Sequence, residues 1–337
     1  MKFGWRGALG VAVSAGFLYY AFSQLDLSRA IEKAREANYW LLAASAITAT
    51  CMFPLRAIRW RTILDPVAPK LPFGPLWRSV AIGQMVTNTV PLRAGELARA
   101  FALTRQIPSV SFATSLASVA VDRVFDGIVT MLLLAAGVML AHFPASTSIG
   151  RYSLNHAAWL VVAGSVALLT GFYALVFFPD MLIRLFELVA RRVSATVERR
   201  GSEMLRRFAE GLSVLRTPWH FAVVTWWTLL HWVLQPVAFW LALLALDIHV
   251  SFAATLVLQG IIVILVAIPA APGFFGPFEI GASLALGLYG VSKSDALTYA
   301  LLFHVASFIP ITLIGAYYFI RLGVHMGDIN SAAGSGE

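Results

Sequence analysis

Charge is what this sequence has least of. Asp, Glu, Lys and Arg together make up 12% of its 337 residues, against about 25% in an ordinary soluble domain. So few charges cannot clothe a water-soluble surface at this length, which excludes a soluble enzyme and a disordered chain. There is one cysteine, Cys51, so no intramolecular disulfide exists and a disulfide scaffold is excluded. Metal-ligand spacing, a glycine-rich nucleotide loop and a nucleophile elbow are missing. No metal, no cofactor and no enzymatic activity are therefore expected. Lysine is also scarce: all but four of the 25 basic residues are arginine.

What is present is apolar. Hydrophobic residues make up 59% of the chain and mean hydropathy is +0.78. That composition specifies an all-α polytopic membrane protein. With about 20 residues per span, the length accommodates about eight membrane segments. One integral-membrane domain, 1–337, is expected, with a first half over about 1–178 and a second over about 219–320. Between them lies a basic amphipathic cytoplasmic segment, 180–217, and beyond 321 a flexible tail, 321–337. The apolar run Gly7–Phe22 reads as a retained first helix, since many further apolar runs follow it. The second run, about Tyr39–Leu55, stops at Arg56, Arg59 and Arg61, and the intervening stretch 24–38 is polar and charge-balanced. Segment 180–217 holds eight arginines against five acids, with apolar residues at helical spacing. Such a pattern suits an anionic cytoplasmic leaflet or a helical hairpin packed on the protein itself.

Positive charge near span ends sets orientation. The basic stretches are the N-terminus, 56–78, 93–105, 180–217 and Arg321. All reach the cytoplasm, with both termini there, only if 76–105 enters and leaves on one side. Non-helical backbone at membrane depth is tolerated only inside protein or a watery cavity, so a broken or re-entrant hairpin is expected around Pro91. A second break lies at Pro269–Pro277. Each is an apolar helix, a Pro/Gly interruption (Pro91 and Gly95; Pro269, Pro272, Gly273 and Gly276), then a glutamate opening a short helix, Glu96 or Glu279. Glutamate in a first turn suits the helix dipole. Paired discontinuous segments in two halves point to a transporter site and to an inverted repeat.

Ionisable residues inside such segments are the site candidates. Glu96 and Arg99 stand three residues apart and could neutralise each other, as could Asp122, Arg123 and Asp126. Asn88 precedes the first break. Arg93 has no local partner and is the stronger anion-binding candidate. Glu279 has no basic residue between Arg216 and Lys293, so it must pair across the fold, bind a cation or carry a proton. His231, Gln235 and His304 read as helix-packing donors. Nucleic acid is not an expected partner, because leaflet orientation accounts for the basic residues.

Asn88…Pro91-x-Arg93-x-Gly95-Glu96-x-x-Arg99, then Asp122-Arg123-Val124-Phe125-Asp126, then Pro269-x-x-Pro272-Gly273-x-x-Gly276-x-x-Glu279 resemble the motif set of the lysylphosphatidylglycerol synthase transmembrane-region family over about residues 5–320. This is the flippase-like membrane part of the bacterial multiple peptide resistance factor, also found as stand-alone proteins. Phe274, Phe275 and Pro277 depart from the family, which often places an Arg before the glutamate, and Asp122 stands where it commonly has Glu. The resemblance implies a lipid flippase or lipid-transport protein of the bacterial inner membrane, acting on a phosphate-bearing or glyco-lipid. Arg93 and Arg99 would bind the head group's anion, and Glu96 and Glu279 would order the site or couple to a cation. Because the chain ends soon after its last span, no aminoacyl-transferase domain is expected. The alternative is a non-catalytic accessory subunit docking a lipid-modifying enzyme, with a homo-oligomer or that enzyme as partner.

Overall fold

A computed structural model describes residues 25–90, 94–140, 148–149, 152–191, 217–267 and 272–329, with isolated residues elsewhere. Pro91, Arg93, Pro269 and the run Gly7–Phe22 lie outside them, as does much of 192–216. The described chain is helical apart from a hairpin pairing Ser148–Ile149 with Tyr152–Ser153.

Eleven helices are used below. They are α1 (Leu27–Glu36), α2 (Tyr39–Leu64), α3 (Phe73–Thr89), α4 (Gly95–Gln106), α5 (Phe112–Leu140) and α6 (Leu154–Phe177). After α7 (Pro179–Ala190) follow α8 (Pro218–Ala245), α9 (Phe252–Val266), α10 (Pro277–Gly287) and α11 (Lys293–Arg321). Among the described residues, α2, α5, α8 and α11 are long and apolar enough to cross a membrane. A fifth span exists if α6 and α7, bent 117° at Phe178, count as one. That is fewer than the eight or so segments expected. The difference lies in the short pairs α3–α4 and α9–α10, whose arms are too short to cross alone, and in residues 7–22.

Local chemistry sets the helix ends. Asn38 caps α2 by accepting from the amides of Trp40 and Leu41 at 3.1 and 3.2 Å. Its own amide donates to the Ala245 carbonyl at 2.8 Å, tying the start of α2 to the end of α8. Ser292 caps α11. The stretch 24–38 is less loop-like than its charge balance suggested: it forms α1, held to α11 by Arg29 and Lys33 on Asp295 at 3.1 and 3.0 Å. Trp40 and Trp219, exposed at the first turns of α2 and α8, occupy the helix-end positions of an interfacial aromatic belt.

Lipid is as apolar as leucine, so these helices associate through close packing and internal hydrogen bonds. Small residues supply the closeness. A Cβ on Gly95 would collide with Thr87 Oγ1 and the Gly83 carbonyl, so α3 and α4 touch backbone to backbone. Gly137 on α5 lies against Leu256 and Val257 of α9, and Gly315 on α11 against Ala81 and Met85 of α3. An aromatic and aliphatic core around Phe239, Leu243, Phe278, Tyr299 and Phe303 joins α8, α10 and α11.

The packing is reciprocal between halves. Long helix, short pair, long helix describes both α2, α3–α4, α5 and α8, α9–α10, α11. Helix α2 packs on α8, while each short pair leans on the long helix of the opposite half, α3 on α11 and α9 on α5. The chain does not loosen at 321, as the sequence suggested. Val324 and Ile329 are buried against α3 and α4.

Candidate functional site

Seven charged side chains from three helices meet where α2, α4 and α5 pack, five of them buried and Glu96 and Arg123 partly exposed at the edge. Arg59 of α2, wholly buried, places Nη2 at 2.6 Å from Asp122 Oδ1 and Nη1 at 2.7 Å from Asp126 Oδ1. Arg99 of α4 reaches Asp122 Oδ2 at 2.7 Å while its guanidinium lies 3.9 Å over the Trp60 ring. Arg123 pairs with Glu96 at 2.5 Å and with Asp126 at 3.2 Å. Arg56 is held less closely, at 3.3 Å from Asp122 and 3.8 Å from Asp126, and its Nη2 is buried without a hydrogen-bond acceptor. Trp232 of α8 donates to Asp126 Oδ1 at 2.7 Å. Four arginines face three carboxylates, leaving one positive charge at a depth where unpaired charge is costly.

That charge borders a cavity of about 420 Å³ lined from both halves. Arg56, Arg123, Glu96 and Asp126 form one wall, and the amides of Gln84, Asn88, Gln235 and Gln259 add uncharged polar groups. Phe53, Val263, Val266 and Phe308 form an apolar side. Gln259 is buried with neither side-chain polar atom hydrogen-bonded. Asn88 joins the halves, accepting from Gln84 at 2.9 Å and donating to Thr312 Oγ1 of α11 at 2.7 Å.

The second break reaches the same cavity. Pro272–Phe274 make one tight turn, and Gly276, at φ 99°, adopts a conformation open to glycine before Pro277 starts α10. Glu279, in the first turn of α10, is wholly buried. One of its oxygens accepts from the Gly276 amide at 2.6 Å and the other meets His304 Nδ1 of α11 at 2.7 Å. His304 Nε2 lies 2.8 Å from the Gly273 carbonyl, and the ring stacks on Phe275 with centroids 4.3 Å apart.

The sequence pattern of the lysylphosphatidylglycerol synthase TM region matches residues 7–315, nearly the whole chain. The chain belongs to that family. It is a multi-pass membrane protein of a lipid-related family whose name is that of the membrane region of a lipid-modifying synthase. It is also similar to the protein named glycosyltransferase AglD of Haloferax volcanii, 35% identical over 126 residues, which cover 36% of this chain and 19% of that protein. The match thus spans about a fifth of that relative's length. No solved structure matches.

Within this family member the motif residues divide by role. Glu96, Arg123 and Asp126 line the cavity, as does Asn88. Arg99 and Asp122 are packed behind them in the ion cluster, and Arg99 neutralises Asp122 rather than Glu96. Of the triplet on α5, only Arg123 and Asp126 pair with each other. Glu279 meets His304 of α11 across the fold. Gly95, Gly273 and Gly276 sit at the hairpin contact and the second break.

Two arginines sorted by sequence as topology signals belong to the site. Helix α2 continues through Arg56 and Arg59 to Leu64 instead of stopping at Leu55. Their spacing of three matches the spacing of four between Asp122 and Asp126, each pair occupying one helix face. That complementarity was the available signal. His304 and Trp232 carried none, since a lone histidine or tryptophan in a span has no local partner to betray it.

Proposed function

We propose that the protein is a lipid flippase or lipid-transport protein that admits an anionic, phosphate-bearing head group from the bacterial inner membrane into this cavity. The observation that carries the reading is the surplus positive charge of the buried cluster, presented to the cavity by Arg56 and Arg123. A guanidinium with a free donor is suited to a phosphate oxygen. The amides of Asn88 and Gln259 would take the head group's hydroxyls and ester oxygens, and the apolar side would accept the start of an acyl chain. Arg99 and Asp122 hold the arginines in place without touching the lipid. The second break, with Gly273 and Gly276 at positive φ, would supply the backbone freedom that exposing the cavity to alternate leaflets requires.

The test is reconstitution in liposomes holding a trace of a head-group-labelled anionic lipid, with leaflet exchange followed by chemical quenching. Exchange well above protein-free vesicles, strongly reduced by Arg56→Gln and by Arg123→Gln, is expected. Exchange equal to empty vesicles for every anionic lipid tried, or undiminished in both variants, would sink the reading.

A second reading rests on the coverage of the relative. The match to AglD takes up 19% of a protein named as a glycosyltransferase, so a related segment lies within a larger chain. On this reading the membrane domain docks a lipid-modifying enzyme, using the basic segment beside α7. A stoichiometric partner lost on replacing Arg191 and Arg206, with leaflet exchange intact in Arg56→Gln, would favour it.

A further inference from the structure

We propose that Glu279 and His304 form a binding site for one proton, and that this proton latches the second break onto α11. The reasoning is a count of hydrogen-bond donors. His304 meets an acceptor at each ring nitrogen: the Glu279 carboxyl at Nδ1 and the Gly273 carbonyl at Nε2. A carbonyl can only accept, so Nε2 must carry a hydrogen. The Nδ1 contact then needs a second hydrogen, either on the ring, giving an imidazolium and a carboxylate, or on Glu279, giving a neutral pair. Both arrangements hold one proton more than a carboxylate beside a neutral imidazole. The other Glu279 oxygen is occupied by the Gly276 amide and offers no third solution.

Removing that proton has a defined structural consequence. The neutral ring keeps one N–H. If it stays on Nδ1 toward the carboxylate, Nε2 turns a lone pair on the Gly273 carbonyl and the contact becomes repulsive. If it stays on Nε2, the lone pair of Nδ1 faces a carboxylate. Either way one of the links between α11 and the break is lost. Gly273, at φ 71°, and Gly276 sit in backbone that can move once released.

The surroundings favour a proton over a metal or an organic cation. The ring lies among Phe275, Phe278 and Phe308, with no second carboxylate at hand among the described residues. The helices packed on α10 are chiefly α9 and α11, with Phe239 of α8 against Phe278. Between Phe252 and Val266, α9 has no ionisable residue, and the other ionisable groups of α11 are Tyr299, itself buried, Tyr317 and Tyr318, and Lys293, Asp295 and Arg321 at its two ends. The charged groups sharing the cavity are Arg56 on α2, Glu96 on α4, and Arg123 and Asp126 on α5, with His231 on α8 engaged by the Met52 carbonyl at 2.9 Å. The cluster's three carboxylates, Glu96, Asp122 and Asp126, are already matched by arginines, leaving the dyad as the group free to exchange a proton with the cavity. Its use as a coupling ion rests on the transport reading above; the latch itself does not.

The sign follows from linkage. The latched state holds the proton, so raising the pH favours release, and its population relative to the released state falls by at most about tenfold per pH unit, over the range where the released state has lost the proton and the latched state still holds it. The experiment uses the full chain in lipid nanodiscs with ¹⁵N-labelled histidine, scanned over about pH 5–9. His304 is assigned by the signal missing in His304→Gln. A fluorine tag on Phe274→Cys in a Cys51→Ser background reports the break. Expected are two protonated ring nitrogens at low pH, or one protonated nitrogen and one sharing the Glu279 proton. A single one-proton transition should follow, with the tag shifting at the same midpoint and both changes absent in Glu279→Gln. A neutral His304 with one unbonded nitrogen throughout, or a ring that titrates while the tag stays still, would overturn the proposal. Leaflet exchange is measured separately. A titrating latch in a protein that moves no lipid overturns the transport reading and leaves the proton site standing.

Discussion

Arg56 and Arg59 lie one helical turn apart and touch the same two aspartates, yet replacing them should have opposite consequences. Arg59 is wholly buried and makes the two closest contacts, 2.6 and 2.7 Å, to Asp122 and Asp126. Arg59→Gln turns a cluster of four arginines and three carboxylates into three against three. It nevertheless strips both aspartates of their best partner, and breaking a buried pair this way costs about 3–5 kcal/mol. Arg56→Gln reaches the same formal balance by removing the arginine whose contacts are longest, at 3.3 and 3.8 Å, and whose Nη2 has no acceptor. Unfolding in mixed detergent micelles, followed by tryptophan fluorescence, should change by no more than about 1 kcal/mol and could move toward greater stability. Lipid binding should respond in the reverse order. A hydrogen bond to a charged group contributes about 1.5–3 kcal/mol, so Arg56→Gln should weaken phosphatidylglycerol retention about 10- to 150-fold and leave phosphatidylcholine unchanged. Native mass spectrometry of the purified protein reads both. If Arg56→Gln destabilises as much as Arg59→Gln, or keeps its anionic lipid, the assignment of the surplus charge is wrong.

Other perturbations test other contacts. Gly95→Ala should cost about 1–3 kcal/mol by forcing α4 off α3, because the new methyl meets Thr87 and the Gly83 carbonyl; crosslinking between the two helices should fall with it. Trp232→Phe removes the donor to Asp126 while keeping the ring, and should lose about 1.5 kcal/mol in the same unfolding assay. Thr312→Val cuts the link from Asn88 to α11, at about 0.5–1.5 kcal/mol. By contrast the exposed Arg105–Asp328 pair, at 3.4 Å, should contribute at most about 1 kcal/mol. That contribution should vanish in high salt, where the buried cluster remains insensitive.

Much of the architecture was legible because membranes impose strong periodicities. Long apolar runs announced α5, α8 and α11, and the conflict between basic loops and span parity pointed to an interruption between what are now α3 and α4. Glu96 and Glu279 stood out as carboxylates where an apolar helix restarts. Partnership was what stayed hidden. Arg56 and Arg59 were classed with the loop arginines because charge at the end of an apolar run has a sufficient explanation in topology. Only the fold shows α2 continuing past them and turning them onto α5. His304 was hidden for a related reason: 25 residues separate it from Glu279, and no local spacing links a lone histidine on one span to a carboxylate on a broken helix. Local signals report which residues cannot face lipid, and the tertiary fold decides what they face instead.

The two halves pack in a similar order and differ in chemistry. In each, the second arm of the short pair opens with a glutamate, and in each that glutamate meets a basic side chain on a neighbouring long helix. Glu96 finds Arg123 on α5, a permanent charge. Glu279 finds His304 on α11, whose charge depends on one proton. An arginine pair does not depend on a ring proton, so on this reading the first half is the held side and also anchors the surplus charge. A histidine pair can be released, so the second half is the side able to move. On the proposed transport reading, one held and one releasable hairpin would let the cavity open while the anion site stays in place. Exchanging the partners tests it: His304→Arg should lock the second break at all pH values and stop leaflet exchange, while the protein remains folded and still retains anionic lipid. Unchanged exchange in His304→Arg would mean that the second break is not the moving part.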